Sequence, residues 1–422
     1  MNVIQTDAEL DEFLANCDRA GSVSDDALRA AFARVRMEYS VESSADPLSE
    51  AYRLEQMTLF ERVANRRYTG LEITPFDVEA AITRPFPEIT RSPRTTGEHY
   101  GMIGFFLRQM ASLPPGARIV EFGPGWGNLT LIMAKLGFDV TAVDVDPGFC
   151  HLIRARAERA NLPIRVVQSD FNWAETVSEP FDAAVFFECF HHCPDHLRVL
   201  RALRTAVKPE GRLFFGGEPI HDDFPVPWGV RLDGQSLWAI RQHGHLELGF
   251  RPNYFRTALS RTGWRGSCVA SKDNPGMTVW ESARADQPIS FVATDPRIHT
   301  QIGEPSGTAM NLAAEHATIG LYGPYVELPA GSYRAVLVFE EDNPQHGKAL
   351  MEVTTDFGER VVGQNVVCFE AGPLSDAAVY FTLAGNTENV EVRLRCDAGF
   401  VVNVQRIELW PLDGLLPSSG TR

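Results

Sequence analysis

Apolar residues recur at intervals of three and four in the first part of the chain, the spacing of one helix face. The pattern is clearest in "DPLSEAYRLEQMTLFERVANRRY", residues 46–68. Its apolar positions are Leu48, Tyr52, Leu54, Met57, Phe60 and Val63. Three prolines in "TRPFPEITRSPRTTG", residues 83–97, then prevent a continuous helix. We predict a helical N-terminal segment over 1–92 that acts as a cap or as an oligomerisation element.

Continuous apolar runs alternate with helix-like stretches over residues 93–285, which is typical of a parallel α/β sheet. Helices on both faces of such a sheet explain why its strands are apolar almost throughout. The predicted strands are "RIVEFG" (118–123), "DVTAVDV" (139–145), "IRVVQSD" (164–170), "FDAAVFFECF" (181–190) and "GRLFFGGEPI" (211–220). We therefore predict an α/β domain with a Rossmann-like, doubly wound sheet over 93–285.

The pattern changes again after residue 285. Short runs of alternating apolar and polar residues follow, such as "ALMEVTTDFG" and "NVEVRLRCDAG", separated by Gly, Pro, Asn and Asp. Strands spaced in this way indicate an antiparallel β-sandwich or jelly roll. We predict that residues 286–422 form such an accessory domain.

Composition and charge narrow the class of protein. The 422 residues carry a formal net charge of −16, which disfavours a nucleic-acid or anionic-membrane partner. No apolar run reaches the ~18 residues of a membrane span, and the acidic start lacks the apolar region of a signal peptide. Seven scattered cysteines suit reduced thiols better than a disulfide framework. We expect a soluble, cytoplasmic protein.

Glycine occupies every second position directly after the first predicted strand, at Gly123, Gly125 and Gly127. A nucleoside triphosphate loop needs Lys followed by Ser or Thr, whereas Asn128 follows here. A dinucleotide fingerprint requires G-x-G-x-x-G, so its third glycine would come one residue later. The acid Glu121 precedes the loop and stands where it could meet a ligand amine.

Acidic residues also end the next two predicted strands. Asp144 is placed to accept hydrogen bonds from both hydroxyls of a ribose. Asp170 could meet an adenine amino group, and Phe171 could pack on the adenine ring. Open α/β sheets bind ligands in the crevice at the carboxyl ends of their strands, where these acids are expected.

Three motifs in this order resemble the class I S-adenosylmethionine-dependent methyltransferases over residues 95–285. They are "EFGPGWG", "VDVD" and "VKPEGRLFFGGEP", the last with Glu210 in place of a usual glycine. The resemblance implies S-adenosylmethionine as cofactor, with its methionine part on the glycine loop, its ribose on Asp144 and its adenine at the third strand. The cofactor-binding residues implied are Glu121, Gly123, Gly125, Gly127, Asp144, Asp170 and Phe171.

The fourth predicted strand ends in "FFECFHHCPDH", where an acceptor hydroxyl would lose its proton. His191 is our candidate general base, since imidazole accepts a proton near neutral pH; the alternative is a packing role. Glu218 and His221 follow the fifth strand and complete the predicted catalytic set. The same residues could hold a divalent metal, but no compact ligand pair supports one, so no metal is favoured.

An insertion of about thirty residues follows the fifth strand and mixes aromatic with polar side chains. Such surfaces grip sugars, so it is a candidate acceptor site; the alternative is that its aromatic residues form core. The predicted substrate-binding residues are Trp228, Arg231, Trp238 and Arg241. Residues 286–422 also resemble the non-catalytic β-sandwich modules of glycan-assembling enzymes.

Together these features predict an S-adenosylmethionine-dependent O-methyltransferase acting on a hydroxyl of a saccharide. The saccharide could be a nucleotide sugar, a polysaccharide end or a glycosylated natural product. Two alternatives remain: a methyltransferase for a non-sugar small molecule, and an inactive glycan-binding protein with the same fold. The expected partners are a small-molecule or glycan acceptor and, through the N-terminal segment, a second copy in a homo-oligomer.

Overall fold

The computed structural model describes residues 2–33, 35–38, 45–272, 274–340, 343–370, 372 and 374–412. The chain divides into two compact units, Met1–Ala283 and Arg284–Arg422. The predicted boundary between the N-terminal segment and the α/β domain, at 92/93, stays a prediction. So does the predicted boundary between the α/β domain and the accessory domain, at 285/286. Residues 413–422 of the predicted accessory domain lie outside the described residues.

Helices of the first unit are distributed along its whole length, beginning in the segment predicted to be helical. In the described part of the unit they are α1 (Asp7–Gly21), α2 (Asp25–Phe32), α3 (Glu50–Ala64), α4 (Val78–Thr83), α5 (Pro93–Gln109), α6 (Asn128–Lys135), α7 (Pro147–Arg159), α8 (His196–Ala206), α9 (Gly234–His243) and α10 (Pro252–Arg261). The helix predicted from "DPLSEAYRL" is α3. It begins where the Ser49 hydroxyl accepts a hydrogen bond from the Tyr52 amide.

Strands of the first unit are mostly short and apolar. They are β1 (Asn2–Ile4), β2 (Val35–Met37), β3 (Arg118–Phe122), β4 (Asp139–Asp144), β5 (Arg165–Gln168), β6 (Phe181–Phe187), β7 (Val207–Gly216), β8 (Trp228–Val230), β9 (Leu248–Phe250), β10 (Trp264–Ala270) and β11 (Thr278–Arg284). The central sheet has the order β10-β11-β7-β6-β3-β4-β5. Strands β3 to β7 pair in parallel, and each overlaps one of the five predicted strands. Strand β11 pairs antiparallel with β7 and was not predicted.

Both faces of the central sheet are covered by apolar packing, because successive side chains of a strand point to opposite faces. On β6, Ala184 and Phe186 belong to one core that includes residues of α8. Val185 and Phe187 belong to another core that includes residues of α5 and α6. This two-sided burial accounts for the continuous apolar runs of the sequence.

The N-terminal helices share a core with the sheet and with the segment after β7. Phe13 of α1 and Phe60 of α3 lie in the same apolar cluster as Trp228. The Tyr52 hydroxyl donates a hydrogen bond of 2.8 Å to the Trp228 carbonyl. Helices α1 and α3 are therefore packed into the first unit.

The second unit consists of antiparallel strands. They are β12 (Ile289–Val292), β13 (Gly303–Ser306), β14 (Ala309–Ala313), β15 (Thr318–Leu328), β16 (Gly331–Phe339), β17 (Lys348–Thr355), β18 (Arg360–Cys368), β19 (Asp376–Leu383), β20 (Thr387–Cys396) and β21 (Val401–Pro411). One sheet has the order β13-β14-β21-β16-β19, with β12 also on β21; the other has the order β15-β20-β17-β18. Residues of both sheets, such as Leu337 and Val392, share one core. The sandwich or jelly-roll class stays a prediction.

In the described part of the chain, no helix has both the length and the apolar character that crossing a bilayer requires.

Candidate functional site

A cavity of about 340 Å³ lies at the carboxyl ends of β3, β4, β5 and β6. Its wall combines the glycine loop, the ends of β4 and β5, the turn after β6 and residues of the N-terminal segment. This volume lies within the range of small-molecule sites, ~300–1,000 Å³. The predicted crevice at the strand ends is thus present as a formed cavity.

The glycine loop after β3 needs glycine for two different reasons. Gly123, Gly125 and Gly127 have φ values of 59°, 50° and 73°, in the region that disfavours side chains. A Cβ on Gly123 would lie 2.6 Å from Cys189 Cβ, whereas a Cβ on Gly125 would enter open space. Gly123 and Gly125 line the cavity. Gly127 precedes α6 as its N-cap residue, and a Cβ there would lie 2.8 Å from Ile153 Cγ1, so this glycine is required for packing.

Asp144 at the end of β4 is buried and lines the cavity. Its carboxylate accepts hydrogen bonds from the amides of Gly125 at 3.0 Å and Asp146 at 2.9 Å. Burial raises the pKa of Asp144 to about 6, although the two backbone N–H groups act to lower it. The side chain is thereby fixed between the glycine loop and the cavity.

Asp170 and Phe171 line the cavity at the end of β5. The Asp170 carboxylate accepts a hydrogen bond of 2.9 Å from the Asn172 amide. The Phe171 ring lies 6.1 Å from the rings of both Phe122 and Phe186, which fix its plane. The cavity thus has a carboxylate and an aromatic wall where the sequence predicted an adenine site.

These residues fit S-adenosylmethionine. The open space at Gly125 allows close approach of a ligand to the backbone, and Asp144 offers a fixed carboxylate beside it. The cavity wall therefore has a polar part at Asp144, which suits the ribose, and an aromatic part at Phe171, which suits the adenine.

Glu121 of β3 is held by a residue of the following helix. It is buried, and its carboxylate accepts a hydrogen bond of 2.5 Å from the Thr130 hydroxyl on α6. Burial raises the pKa of Glu121 to about 8, and the charge of Asp144 adds to the rise. Glu121 is not among the residues that line the described cavity, so its contact with a ligand amine stays a prediction.

The turn after β6 is held by Glu218. This buried carboxylate accepts hydrogen bonds from the amides of Cys189, Phe190 and His191 at 2.9–3.0 Å. It also lies 2.8 Å from Nδ1 of His191. Burial acts to raise the pKa of Glu218, but these partners hold it below its usual value. Among the described residues that line the cavity, His191 and Glu218 are not found, so both predicted catalytic groups lie behind the wall.

His192, next to the predicted base, lines the cavity instead. Its Nδ1 lies 3.1 Å from Oε2 of Glu72, whose other oxygen accepts from the Tyr68 hydroxyl and the Leu246 amide. Burial acts to lower the pKa of His192, but the charge of Glu72 outweighs it and raises the pKa to about 9. Glu72 and Tyr68 also line the cavity.

His245 is a further imidazole of the cavity wall. Its Nε2 lies 3.3 Å from the Thr74 hydroxyl. Burial lowers the pKa of His245. His245 belongs to the insertion that the sequence indicated as a candidate acceptor site, whereas Glu72 and Thr74 were missed because they belong to no motif. Only the folded chain brings residues 72 and 74 to the cavity wall beside the turn after β6.

The remaining predicted residues have other surroundings. His221 is exposed, with its ring 5.9 Å from Phe224. Trp228 is buried in the core, and the Trp238 ring packs against the Phe32 ring with their centroids 5.5 Å apart. Both arginines form ion pairs within the protein: Arg231 with Asp233 and Glu247, and Arg241 with Asp11. These five are not among the residues that line the described cavity. Trp228 and Trp238 therefore fit the core-packing alternative, and the substrate and catalytic roles stay predictions.

Residues 120–215 match the family model described as a methyltransferase domain. This segment is therefore similar to methyltransferase domains, and S-adenosylmethionine is the cofactor. The match runs from within β3 to within β7 and includes the glycine loop, Asp144 and the turn with His192.

Curated relatives cover a similar segment. A ubiquinone biosynthesis O-methyltransferase of Xanthomonas campestris pv. campestris is 37% identical over 101 residues, which are 24% of this chain and 42% of that protein. One of Actinobacillus pleuropneumoniae is 32% identical over 115 residues, 26% of this chain and 49% of the relative. The chain thus spans less than half the length of these relatives.

Two solved structures that are similar to parts of this chain are methyltransferases. The mitomycin 7-O-methyltransferase is 20% identical, with a TM-score of 0.37 over 63% of this chain and 73% of that one. An S-adenosylmethionine-dependent methyltransferase from Mesorhizobium loti is also 20% identical, with a TM-score of 0.34 over 42% of this chain and 96% of that one.

Proposed function

We propose that this protein transfers a methyl group from S-adenosylmethionine to a hydroxyl group of a small-molecule acceptor. One observation carries the proposal: a single cavity is lined by Gly123, Gly125 and Asp144 and also by His192 and His245. The first group suits the cofactor, and the imidazoles suit an acceptor that must lose a proton.

The cofactor side is built to bind and orient. Asp144 would accept hydrogen bonds from the ribose hydroxyls of the cofactor, and Phe171 would pack on its adenine. Bound S-adenosylmethionine supplies a methyl group on positively charged sulfur; the C–S electron pair leaves with sulfur as neutral S-adenosylhomocysteine, and the acceptor oxygen gains the methyl and loses its proton. The residues of this side therefore contribute alignment of donor and acceptor.

The acceptor side must take that proton. We assign this role to His245, whose Nε2 lies beside a neutral hydroxyl, that of Thr74, at 3.3 Å. With Nε2 donating to Thr74, Nδ1 has the lone pair that accepts the proton. His192, by contrast, is held by the Glu72 carboxylate.

An oxygen acceptor is favoured by the curated relatives, which are named ubiquinone biosynthesis O-methyltransferases. A saccharide, the acceptor predicted from the sequence, is one class of hydroxyl compound within the proposal. Its support is weaker in the folded chain, since Trp228 and Trp238 are packed against other protein residues. Phenols and saccharides are therefore tested together.

The test is methyl transfer from isotopically labelled S-adenosylmethionine to phenols, catechols, oligosaccharides and nucleotide sugars. We expect label on a hydroxyl of one of these classes, identified by mass spectrometry. His245→Ala should lower kcat about 100-fold or more, the usual contribution of a general base. The matched control is His316→Ala, an exposed histidine of the second unit, which should leave kcat unchanged.

Two results would contradict the proposal. Label on nitrogen or carbon only would refute O-methylation, and no transfer to any class despite cofactor binding would refute the small-molecule reaction. Full activity of His245→Ala would refute the assigned base alone.

A further inference from the structure

Three metal-ligating side chains meet at the cavity wall, where His192 lines the cavity and His191 and Glu247 lie behind it. His191, His192 and Glu247 each place one nitrogen or carboxylate oxygen within 4.8 Å of the other two. They come from two parts of the fold: the turn after β6 and the segment that leads into β9. His192 lines the cavity and so connects this group to its interior.

The spacing fits ligands of one ion better than a hydrogen bond. Nε2 of His191 lies 3.8 Å from Oε2 of Glu247, which is too long for a hydrogen bond. Two ligands of a tetrahedral ion with bonds of about 2.1 Å lie about 3.4 Å apart. A small movement of these side chains would bring both atoms to that distance.

Each of the three side chains is oriented by a partner outside the group. Nδ1 of His191 lies 2.8 Å from Glu218, and Nδ1 of His192 lies 3.1 Å from Glu72. In both histidines the glutamate contacts Nδ1, so Nε2 is the nitrogen that would bind the metal ion. Glu247 is held by Arg231 at 3.2 Å. Carboxylates behind the histidines and a hydrogen-bonded carboxylate ligand are the usual surroundings of a metal centre.

Charge supports a divalent ion. The carboxylates of Glu72, Glu218 and Glu247 lie around the group, and the Arg231 guanidinium that contacts Glu247 is shared with Asp233. Carboxylates therefore outnumber the permanently charged cations among these residues. The side chains of the group are largely buried, with His191 10% and Glu247 14% exposed, so solvent screens this imbalance poorly.

We propose that His191, His192 and Glu247 bind a divalent transition-metal ion. Two imidazoles and one carboxylate suit Zn²⁺, Mn²⁺ or Fe²⁺ and are a poor set for Mg²⁺ or Ca²⁺. The set differs from the His191, Glu218 and His221 combination considered from the sequence, because Glu218 is used by the turn and His221 is exposed.

An ion held by His192, the ligand that lines the cavity, would act as the Lewis acid that lowers the pKa of a hydroxyl bound beside it. That role rests on the proposed methyl transfer, whereas the metal site rests on the geometry alone. Metal binding is therefore measured without turnover, so that failure of one proposal is distinguishable from failure of the other.

The experiment uses the full chain without a histidine tag, stripped with EDTA. Zn²⁺ is titrated by calorimetry, and Co²⁺ is followed by its visible absorption. We expect one equivalent of each ion to bind, with Mg²⁺ binding far more weakly. Glu247→Gln and His192→Ala should each weaken Zn²⁺ binding at least tenfold.

Controls separate a lost ligand from a lost fold. His151→Ala removes an exposed histidine of the same unit and should leave Zn²⁺ affinity unchanged. Glu72→Gln, which keeps all three ligands and removes the carboxylate behind His192, should weaken binding by about 10- to 100-fold. Circular dichroism shows whether each variant is folded, and any unfolded variant is replaced by His191→Gln.

The proposal is overturned if the folded wild-type chain binds no Zn²⁺ or Co²⁺. It is equally overturned if stoichiometric binding persists in folded Glu247→Gln and His192→Ala. Metal binding that fails in these variants but survives in His151→Ala supports it, whatever the result of the transfer assay.

Discussion

Nδ1 of His192 lies 3.1 Å from Oε2 of Glu72, and both residues line the cavity. Glu72 belongs to the N-terminal segment, whereas His192 follows β6 of the central sheet. The contact therefore makes the N-terminal segment part of the site wall. Because the pair is largely buried, removal of either partner would leave the other without its counter-charge inside the first unit.

Glu72→Gln should lower the free energy of unfolding by about 3 kcal/mol, the cost of breaking a buried ion pair from one side. The measurement is urea denaturation followed by circular dichroism. Glu12→Gln, an exposed position of α1, is the control and should change stability by less than about 0.5 kcal/mol. Equal stability of both variants would show that the pair adds nothing to the fold.

The parallel strands β3 to β7 were predictable because both faces of the sheet are covered, which makes each strand a continuous apolar run. The glycine loop and Asp144 were predictable because the backbone requirement and the ligand chemistry fall within a few residues of a strand end. The strands, the glycine loop and Asp144 could be predicted because the residues that define each of them are close together in the sequence.

The acceptor side could not be predicted in the same way. Glu72 and His245 carry no motif and reach the cavity only through tertiary packing. Trp228 was instead predicted to bind substrate and is buried in the core. Aromatic residues interspersed with polar ones occur both in binding surfaces and in cores, so the sequence pattern does not distinguish the two. The burial of Trp228, and the bond from its indole N–H to the Pro47 carbonyl, appear only in three dimensions.

Asp144→Asn should weaken S-adenosylmethionine binding by about 10- to 100-fold. The expected loss is that of hydrogen bonds to a charged acceptor, about 1.5–3 kcal/mol. Calorimetry of cofactor binding measures it, with Asp139→Asn, exposed at the start of the same strand, as the control. Unchanged affinity in Asp144→Asn would remove the ribose assignment.

Cofactor affinity should depend on pH through Asp144. Burial raises the pKa of this carboxyl to about 6 in the free protein, and the ribose hydroxyls bind its ionised form. Above pH 6 the Asp144 carboxylate is ionised and can accept hydrogen bonds, so the Kd for S-adenosylmethionine should be constant. Below pH 6 the carboxyl must lose a proton before the cofactor binds, so this Kd should rise by up to tenfold per pH unit.

Calorimetry between pH 5 and pH 8 tests this dependence, and the same series on Asp144→Asn separates Asp144 from other titrating groups. The variant should show a flat profile where the wild type bends. A wild-type Kd that does not change between pH 5 and pH 7 would refute the titration of Asp144.

Two alanine variants separate backbone strain from a clash in the glycine loop. Gly125→Ala places a Cβ in open space, so only the positive φ should act, at about 1–2 kcal/mol of stability. Gly123→Ala adds a Cβ at 2.6 Å from that of Cys189 and should cost about 3 kcal/mol or more. Thermal and urea denaturation give the order; a smaller loss for Gly123→Ala would mean that the turn after β6 moves freely.

Glu218 offers the sharpest distinction between the role predicted from the sequence and the role found in the structure. Its carboxylate accepts from three backbone amides as well as meeting His191, so Glu218→Ala would leave several buried donors without an acceptor. We expect a loss of about 3–5 kcal/mol in the free energy of unfolding, measured by urea denaturation. Exposed Glu210→Ala, in the preceding strand, is the control and should cost little. If Glu218→Ala instead kept wild-type stability and lost only kcat, Glu218 would be a catalytic group, because an anchor of the turn cannot be removed without weakening the fold.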